Sequence, residues 1–159
     1  TPLHSSAASD VYKRQTNSEA VKNTQLAVLD VLEVCAYSIL VDIFNDVPYS
    51  EALMGVDNLS PAYDDASTIY SSLATTLDGA ITVLSGSLEM GDFAGSDLIY
   101  AGSTSHWTML ANSLKLRMAM RMADVAGSGS QAMAEAAAAG VFASNDDHAY
   151  IMYLSLIHI

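Results

Sequence analysis

Histidine is the usual first choice for acid–base or metal chemistry, and this 159-residue chain has four: His4, His106, His148 and His158. His4 and His158 sit at the extreme ends. His106 and His148 are far apart in sequence, with no E-x-x-H or H-E-x-x-H spacing, so no helix presents a zinc ligand set. No metal and no cofactor is expected. Nucleophilic catalysis fares no better, because there is neither a G-x-S-x-G elbow nor a Walker-type glycine loop. Cys35 is the sole cysteine. An intrachain disulfide is therefore excluded, and a lone thiol in an apolar helical stripe reads as a small hydrophobe. Asp64-Asp65 and Asp146-Asp147 are adjacent acids on turns, where neighbouring side chains diverge. They read as capping or solvated carboxylates. No catalytic residue is assigned, and the chain is not read as an enzyme.

Binding is the remaining kind of chemistry. Trp107 could stack on a sugar ring, but it is in helical register with Leu110, Ala111, Leu114 and Met118, which makes it a core anchor. Arg117 and Arg121 are four apart and share a helical face. They are expected to tie down carboxylates or helix-end carbonyls, with Arg117 in a buried ion pair. Met109, Met118, Met120 and Met122 read as adaptable filler between helices. Tyr49 and Tyr63 fall in loops, where ligand-contacting residues concentrate, and they are the ligand-binding candidates.

The elements that must position these groups are helices. The chain is 51% hydrophobic and 15% charged, which favours a packed core over disorder. Six basic residues against eighteen acidic ones give a net charge of −12 and exclude nucleic acid as a partner. No apolar run reaches the roughly 20 residues of a membrane-spanning helix. Thr16-Asn17-Ser18-Glu19 fits a capping box with Thr16 as N-cap. Behind it Val21, Val28, Leu32, Cys35, Ile39 and Ile43 recur at helical spacing, flanked by Leu29, Ala36 and Leu40. Asn45 can take the positive-φ position after this helix, and Pro48 blocks continuation. Asp64 or Asp65 caps a second helix whose stripe is Ile69, Leu73, Leu77, Ala80 and Leu84, stopped by Gly86. A third helix carries Trp107, Leu110, Ala111, Leu114, Met118, Met122 and Val125. Gly127-Ser128-Gly129-Ser130 breaks the chain before an alanine-rich fourth helix, Gln131 to Ala139. Val141 to Asp147 reads as a turn into an irregular segment.

Four blocks resemble one family in order. Leu40 through Leu53, with Phe44-Asn45-Asp46-Val47-Pro48-Tyr49-Ser50-Glu51-Ala52, looks like a D-x-F-G-D-V-P-Y-S-E-A element, with asparagine where glycine is usual. Pro61-Ala62-Tyr63-Asp64, Ile69-Tyr70 and Leu77-Asp78 to Ile81 resemble a P-x-Y-D…I-Y…L-D-x-A-I helix. Trp107 through Arg121, with Ala111-Asn112-Ser113-Leu114, is similar to W-x-x-x-A-N-S-L-x-L-R-x-A-x-R. Ala136 to Gly140 with Asn145-Asp146-Asp147 completes the set. The sequence thus resembles the SusD/RagB-like outer-membrane nutrient-binding lipoproteins over about 110 residues.

That resemblance implies an all-α fold of stacked, tetratricopeptide-like helical hairpins, here an incomplete domain. It implies binding of oligosaccharide, or in some relatives peptide. It also implies an uptake complex with a SusC-like TonB-dependent transporter, and a surface-exposed lipid anchor on the outer membrane in the full-length parent. An intracellular helical-repeat scaffold that binds peptide is the alternative, and a glycosidase the third reading. Residues 1–15 and 154–159 show neither period nor cap and read as a non-native leader and tail, like translated adapter sequence. Residues 16–153 are read as a fragment of the family's helical domain.

Overall fold

The computed structural model describes residues 18–86 and 90–151, so the two end segments and Thr16 lie outside the described residues. The elements are α1 (Glu19–Phe44), α2 (Ala66–Gly86), α3 (Thr104–Arg121), a single turn α4 (Ala123–Ala126) and α5 (Ser128–Ala138). Short 3-10 turns lie at Gly55–Asp57, Gly91–Ser96 and Asn145–Asp147. Among the described residues the nearest approach to a sheet is one isolated bridge, Val47 to Asp64.

Ser18, rather than Thr16, caps α1: its hydroxyl accepts the Val21 amide at 3.3 Å. Glu19 is then the first helical residue, too early for a capping box, and it pairs instead with Lys22. The C-terminal expectation holds in part. Asn45 has φ +66°, but its ψ of −106° lies outside the left-handed helical basin, and its amide closes on the Val41 carbonyl at 2.9 Å. Asp65 caps α2 by accepting the Ser67 and Thr68 amides. All five residues of the α2 stripe are buried.

Side-chain bonds fix the helix directions. Gln25 near the start of α1 donates to the Met90 carbonyl just beyond α2, while Asp42 near its end meets Tyr70. α1 and α2 are therefore antiparallel. Arg117 reaches Ser38 and Arg121 reaches Asp42, so α3 returns alongside α1 in the same direction. Each long helix packs chiefly on its neighbours in sequence, α1 on α2, α2 on α3 and α3 on α5. These are stacked helical hairpins, as the resemblance implied.

The core departs from the sequence reading in α1. The buried face is Thr24, Ala27, Val28, Val31, Val34, Ser38 and Val41, whereas Leu29, Leu32, Ile39, Leu40 and Ile43 are exposed. This helix is apolar on nearly every side, so a 3.6-residue period fits more than one face. The face chosen carries small and β-branched side chains, which let α2 and α3 approach closely. Thr24 and Ser38 hydroxyls bond the Ala20 and Cys35 carbonyls of their own helix, so burying them leaves no orphan. Cys35 is half-buried against the core.

Two boundaries also shift. α3 ends at Arg121 and Val125 lies on the separate turn α4, 87% exposed. Gly127, at φ +51°, makes the break alone, and Ser128-Gly129-Ser130 already form the first turn of α5. Met118 is fully buried as filler, but Met120 is exposed.

Candidate functional site

The Asn45–Asp65 connection carries both tyrosine candidates and is organised by acids. Asp46 accepts the Ala66 amide, and Glu51 accepts the Ala62 amide and the Asn58 side chain. Asp64 accepts the Tyr49 amide at 2.9 Å, the Ser50 amide at 2.8 Å and the Ser50 hydroxyl. Those bonds, chiefly from Ser50, hold its carboxyl below the usual range. Asp65 is likewise lowered by the Ser67 hydroxyl and the helix amides it caps. The adjacent pair therefore points into two separate structural tasks. Tyr49 is half-buried, with its ring edge-on to Tyr37 at 4.8 Å. Burial and the nearby Glu33 raise its phenol. Tyr63 is 73% exposed. Neither tyrosine lines either of the two clefts described below.

The third motif is largely architectural. Trp107 is 1% exposed, and its indole N–H donates to Asp97 Oδ2 at 2.7 Å. The same carboxylate accepts the Ile99, Tyr100 and Gly102 amides. Burial pushes the Asp97 carboxyl up, but these four bonds outweigh it and leave the group lowered. Ala101 (φ +50°) and Gly102 (φ +84°) close the turn, and a Cβ at Gly102 would meet the Ala94 Cβ at 2.4 Å. Only glycine fits there. Asn112 bonds the Thr108 carbonyl and lies against Gly140, while the Ser113 hydroxyl accepts the Phe142 amide. The Ala-Asn-Ser-Leu stretch thus docks the segment after α5.

The basic residues of α3 lace the bundle together. Lys115 pairs with Asp78 of α2 and Arg121 with Asp42 of α1. Arg117 is not in a buried ion pair. It is exposed and donates to the Ser38 hydroxyl at 3.2 Å. A cleft of about 500 Å³ opens beside Arg121 and is floored by Val41, Tyr70 and Met122. Its charges are spent internally, because Asp42 accepts both Tyr70 and Arg121.

A second cleft, of about 310 Å³, lies where the turn before α3 meets the segment after α5. Its walls include Tyr100, His106, His148, Tyr150, Asp97 and Asp146. The rings form two stacked pairs: Tyr100 with His106 at 5.3 Å and His148 with Tyr150 at 4.6 Å. Tyr100 also meets Trp107 edge-on, and its hydroxyl donates to the Asp147 carbonyl. Burial, then Asp147 and Asp97, push its phenol up to about 12. It stays protonated and pins the two loops together. The Ser103 hydroxyl lies 2.7 Å from His106 Nδ1. Asp147 closes a capping box with Ser144, whereas Asp146 faces the cleft. Aromatic rings beside carboxylates and hydroxyls suit a polyhydroxylated ligand, with C–H groups on ring faces and hydroxyls on acceptors.

Among the described residues, no group of three or more His, Cys, Asp or Glu is placed to hold a metal ion. His106 and His148, considered only as metal ligands from sequence, belong to this cleft. Tyr100 and Tyr150 were missed. More than forty residues separate the two loops, so spacing carries no signal of their meeting.

Stacked helical hairpins with an open, aromatic-lined cleft are the architecture of the described residues. The description of starch-binding proteins associating with the outer membrane, the SusD-like family, matches residues 6–157. The chain belongs to the SusD-like family. A SusD homolog from Bacteroides uniformis is 31% identical with a TM-score of 0.73, over 82% of this chain and 27% of that one. A chitin-binding SusD homolog from Flavobacterium johnsoniae is 29% identical with a TM-score of 0.74, over 84% and 29%. A further chitin-binding protein is 37% identical with a TM-score of 0.72, over 88% and 29%. The chain thus spans under a third of the length of these relatives. No curated protein matched. No helix among the described residues is long and apolar enough to cross a membrane.

Proposed function

We propose that this chain is part of a glycan receptor of the outer membrane, one that holds oligosaccharide without cleaving it and hands it to a SusC-like TonB-dependent transporter. In the complete polypeptide a lipid anchor would keep it at the cell surface. The observation that carries this reading is the cleft between Tyr100 and Tyr150, where the His148 and Tyr150 rings and Asp146 are exposed. Every acid that an adjacent-pair hydrolase would need, apart from Asp146, already accepts backbone amides. That favours binding over catalysis. Two chitin-binding relatives make β-linked N-acetylglucosamine oligomers the first ligand to test. The abundance of acids favours neutral over acidic sugars.

Titration calorimetry with chitotetraose, maltotetraose and a neutral tetrapeptide is the test. Expected is weak binding to one sugar, with Kd near 1 mM, about −4 kcal/mol. Tyr150→Ala, on an exposed ring, should abolish it and leave the thermal midpoint unchanged. Sugar binding that survives Tyr150→Ala and His148→Ala together would remove the cleft from the reading. Release of reducing ends from a bound sugar would replace binding with hydrolysis.

A further inference from the structure

Asp30, Glu33 and Tyr37 succeed one another at three- and four-residue spacing, so they share one side of α1. Tyr49 comes to the same place from the loop after α1 and bonds Thr76 of α2. Its ring stands nearly perpendicular to that of Tyr37, at 86° and a centroid distance of 4.8 Å. The two rings thus make a corner beside two carboxylates. Tyr37, Tyr49 and Asp30 are half-buried and Glu33 is exposed, so the group is shielded but reachable.

The charge at this corner is uncompensated. Glu19, Asp42 and Asp78 each meet a cation, but among the described residues Asp30 and Glu33 have neither an ion-pair nor a hydrogen-bond partner. Burial raises the Asp30 carboxyl, and no donor or cation acts against it. Burial, then Glu33, raises the Tyr37 phenol. The same two causes lead at Tyr49, with a smaller push from Asp30. Both rings therefore lie in the field of the acids. Ring faces attract cations within about 6 Å of the centroid, most strongly where water is partly excluded. Two carboxylates fall short of the oxygen shell that a divalent metal ion requires. An ammonium borne on carbon has no such requirement.

We propose that Tyr37, Tyr49, Asp30 and Glu33 form a second binding site, separate from the Tyr100–Tyr150 cleft, that takes a primary ammonium group borne on carbon. The ring faces receive the cation and its neighbouring C–H groups, and the carboxylates receive its charge. Phosphates and uronates are repelled by the same acids. A deacetylated amino sugar and a lysine side chain share this ammonium chemistry.

NMR spectra of the tyrosine rings test the site in the 159-residue chain. The probes are a glucosamine tetramer and Nα-acetyl-lysine methylamide, at about pH 6, where both amines are protonated and carboxylates ionised. At least one should shift the Tyr37 and Tyr49 resonances, with Kd on the order of 1 mM. The tighter probe names the source as sugar or peptide. The N-acetylated form of each probe keeps its carbon frame and loses the charge; it should bind at least about tenfold more weakly. Asp30→Asn/Glu33→Gln, which keeps size and leaves the core untouched, should weaken binding by a similar factor. Tyr49→Leu should abolish it, and Tyr49→Phe, which keeps the ring and loses only the Thr76 bond, should restore it. Should Tyr49→Leu not fold, the double acid substitution decides alone. Equal binding of the acetylated probes, unchanged binding after the acid substitutions, or no shift with either ammonium would overturn the proposal.

Discussion

Removing the Trp107 indole nitrogen while keeping an aromatic ring isolates its bond to Asp97. Trp107→Phe deletes a 2.7 Å donor to a carboxylate, and three backbone amides remain on that group. Bonds to charged groups contribute about 1.5–3 kcal/mol, and the partial exposure of Asp97 argues for the lower end. The smaller ring in a fully packed site adds about 1 kcal/mol. The expected loss at pH 7 is about 2–3 kcal/mol, a fall in thermal midpoint on the order of 5–10 °C. Trp107→Ala should cost more, about 3–5 kcal/mol, from the cavity it leaves. The pH dependence separates the bond from the packing. Asp97 has a carboxyl depressed below its ordinary 3.8. Its contribution is present above that value and disappears as pH falls through the lower folded value. The gap between wild type and Trp107→Phe should therefore narrow below pH 3.8, while the packing part persists. Urea melts monitored by far-UV circular dichroism at neutral pH and at successively lower pH measure it. A gap that stays constant across the acid limb would refute the claim that the indole bond stabilises the ionised carboxylate.

Gly102→Ala forces a Cβ to 2.4 Å from the Ala94 Cβ at a positive φ; a loss of about 2–4 kcal/mol is expected in the same melts. Arg117→Ala should cost under about 1 kcal/mol, because the exposed guanidinium bonds a neutral hydroxyl and strands no charge; a loss above about 3 kcal/mol would restore the buried ion pair expected from sequence. Tyr63→Ala should stay within about 0.5 kcal/mol of wild type. Tyr49→Ala, which loses its edge contact with Tyr37 and its half-buried area, should cost about 1–2 kcal/mol in thermal melts.

Features with a local cause were legible in the chain alone. The α2 stripe from Ile69 to Leu84 has one apolar face, so its period names its buried side without ambiguity. Trp107, in register with Leu110, Ala111, Leu114 and Met118, read as a core anchor ahead of a sugar platform, and Asp64 or Asp65 stood where a carboxylate caps α2. The four ordered blocks carried the resemblance to the family, and in this chain their residues serve turns and helix contacts. Features that depend on distant partners needed the packed helices. α1 is apolar on two sides, so only the approach of α2 and α3 shows that Val31, Val34 and Ser38 face inward and Leu32 and Ile39 outward. Arg117 could have met any of many acids, and the register of α3 against α1 gave it Ser38. The cleft joins Tyr100 and His106 to His148 and Tyr150 across more than forty residues. Local propensity contains no term for that distance; it is closed by Asn112 and Ser113 docking the turn after α5, and by Tyr100 bonding the Asp147 carbonyl.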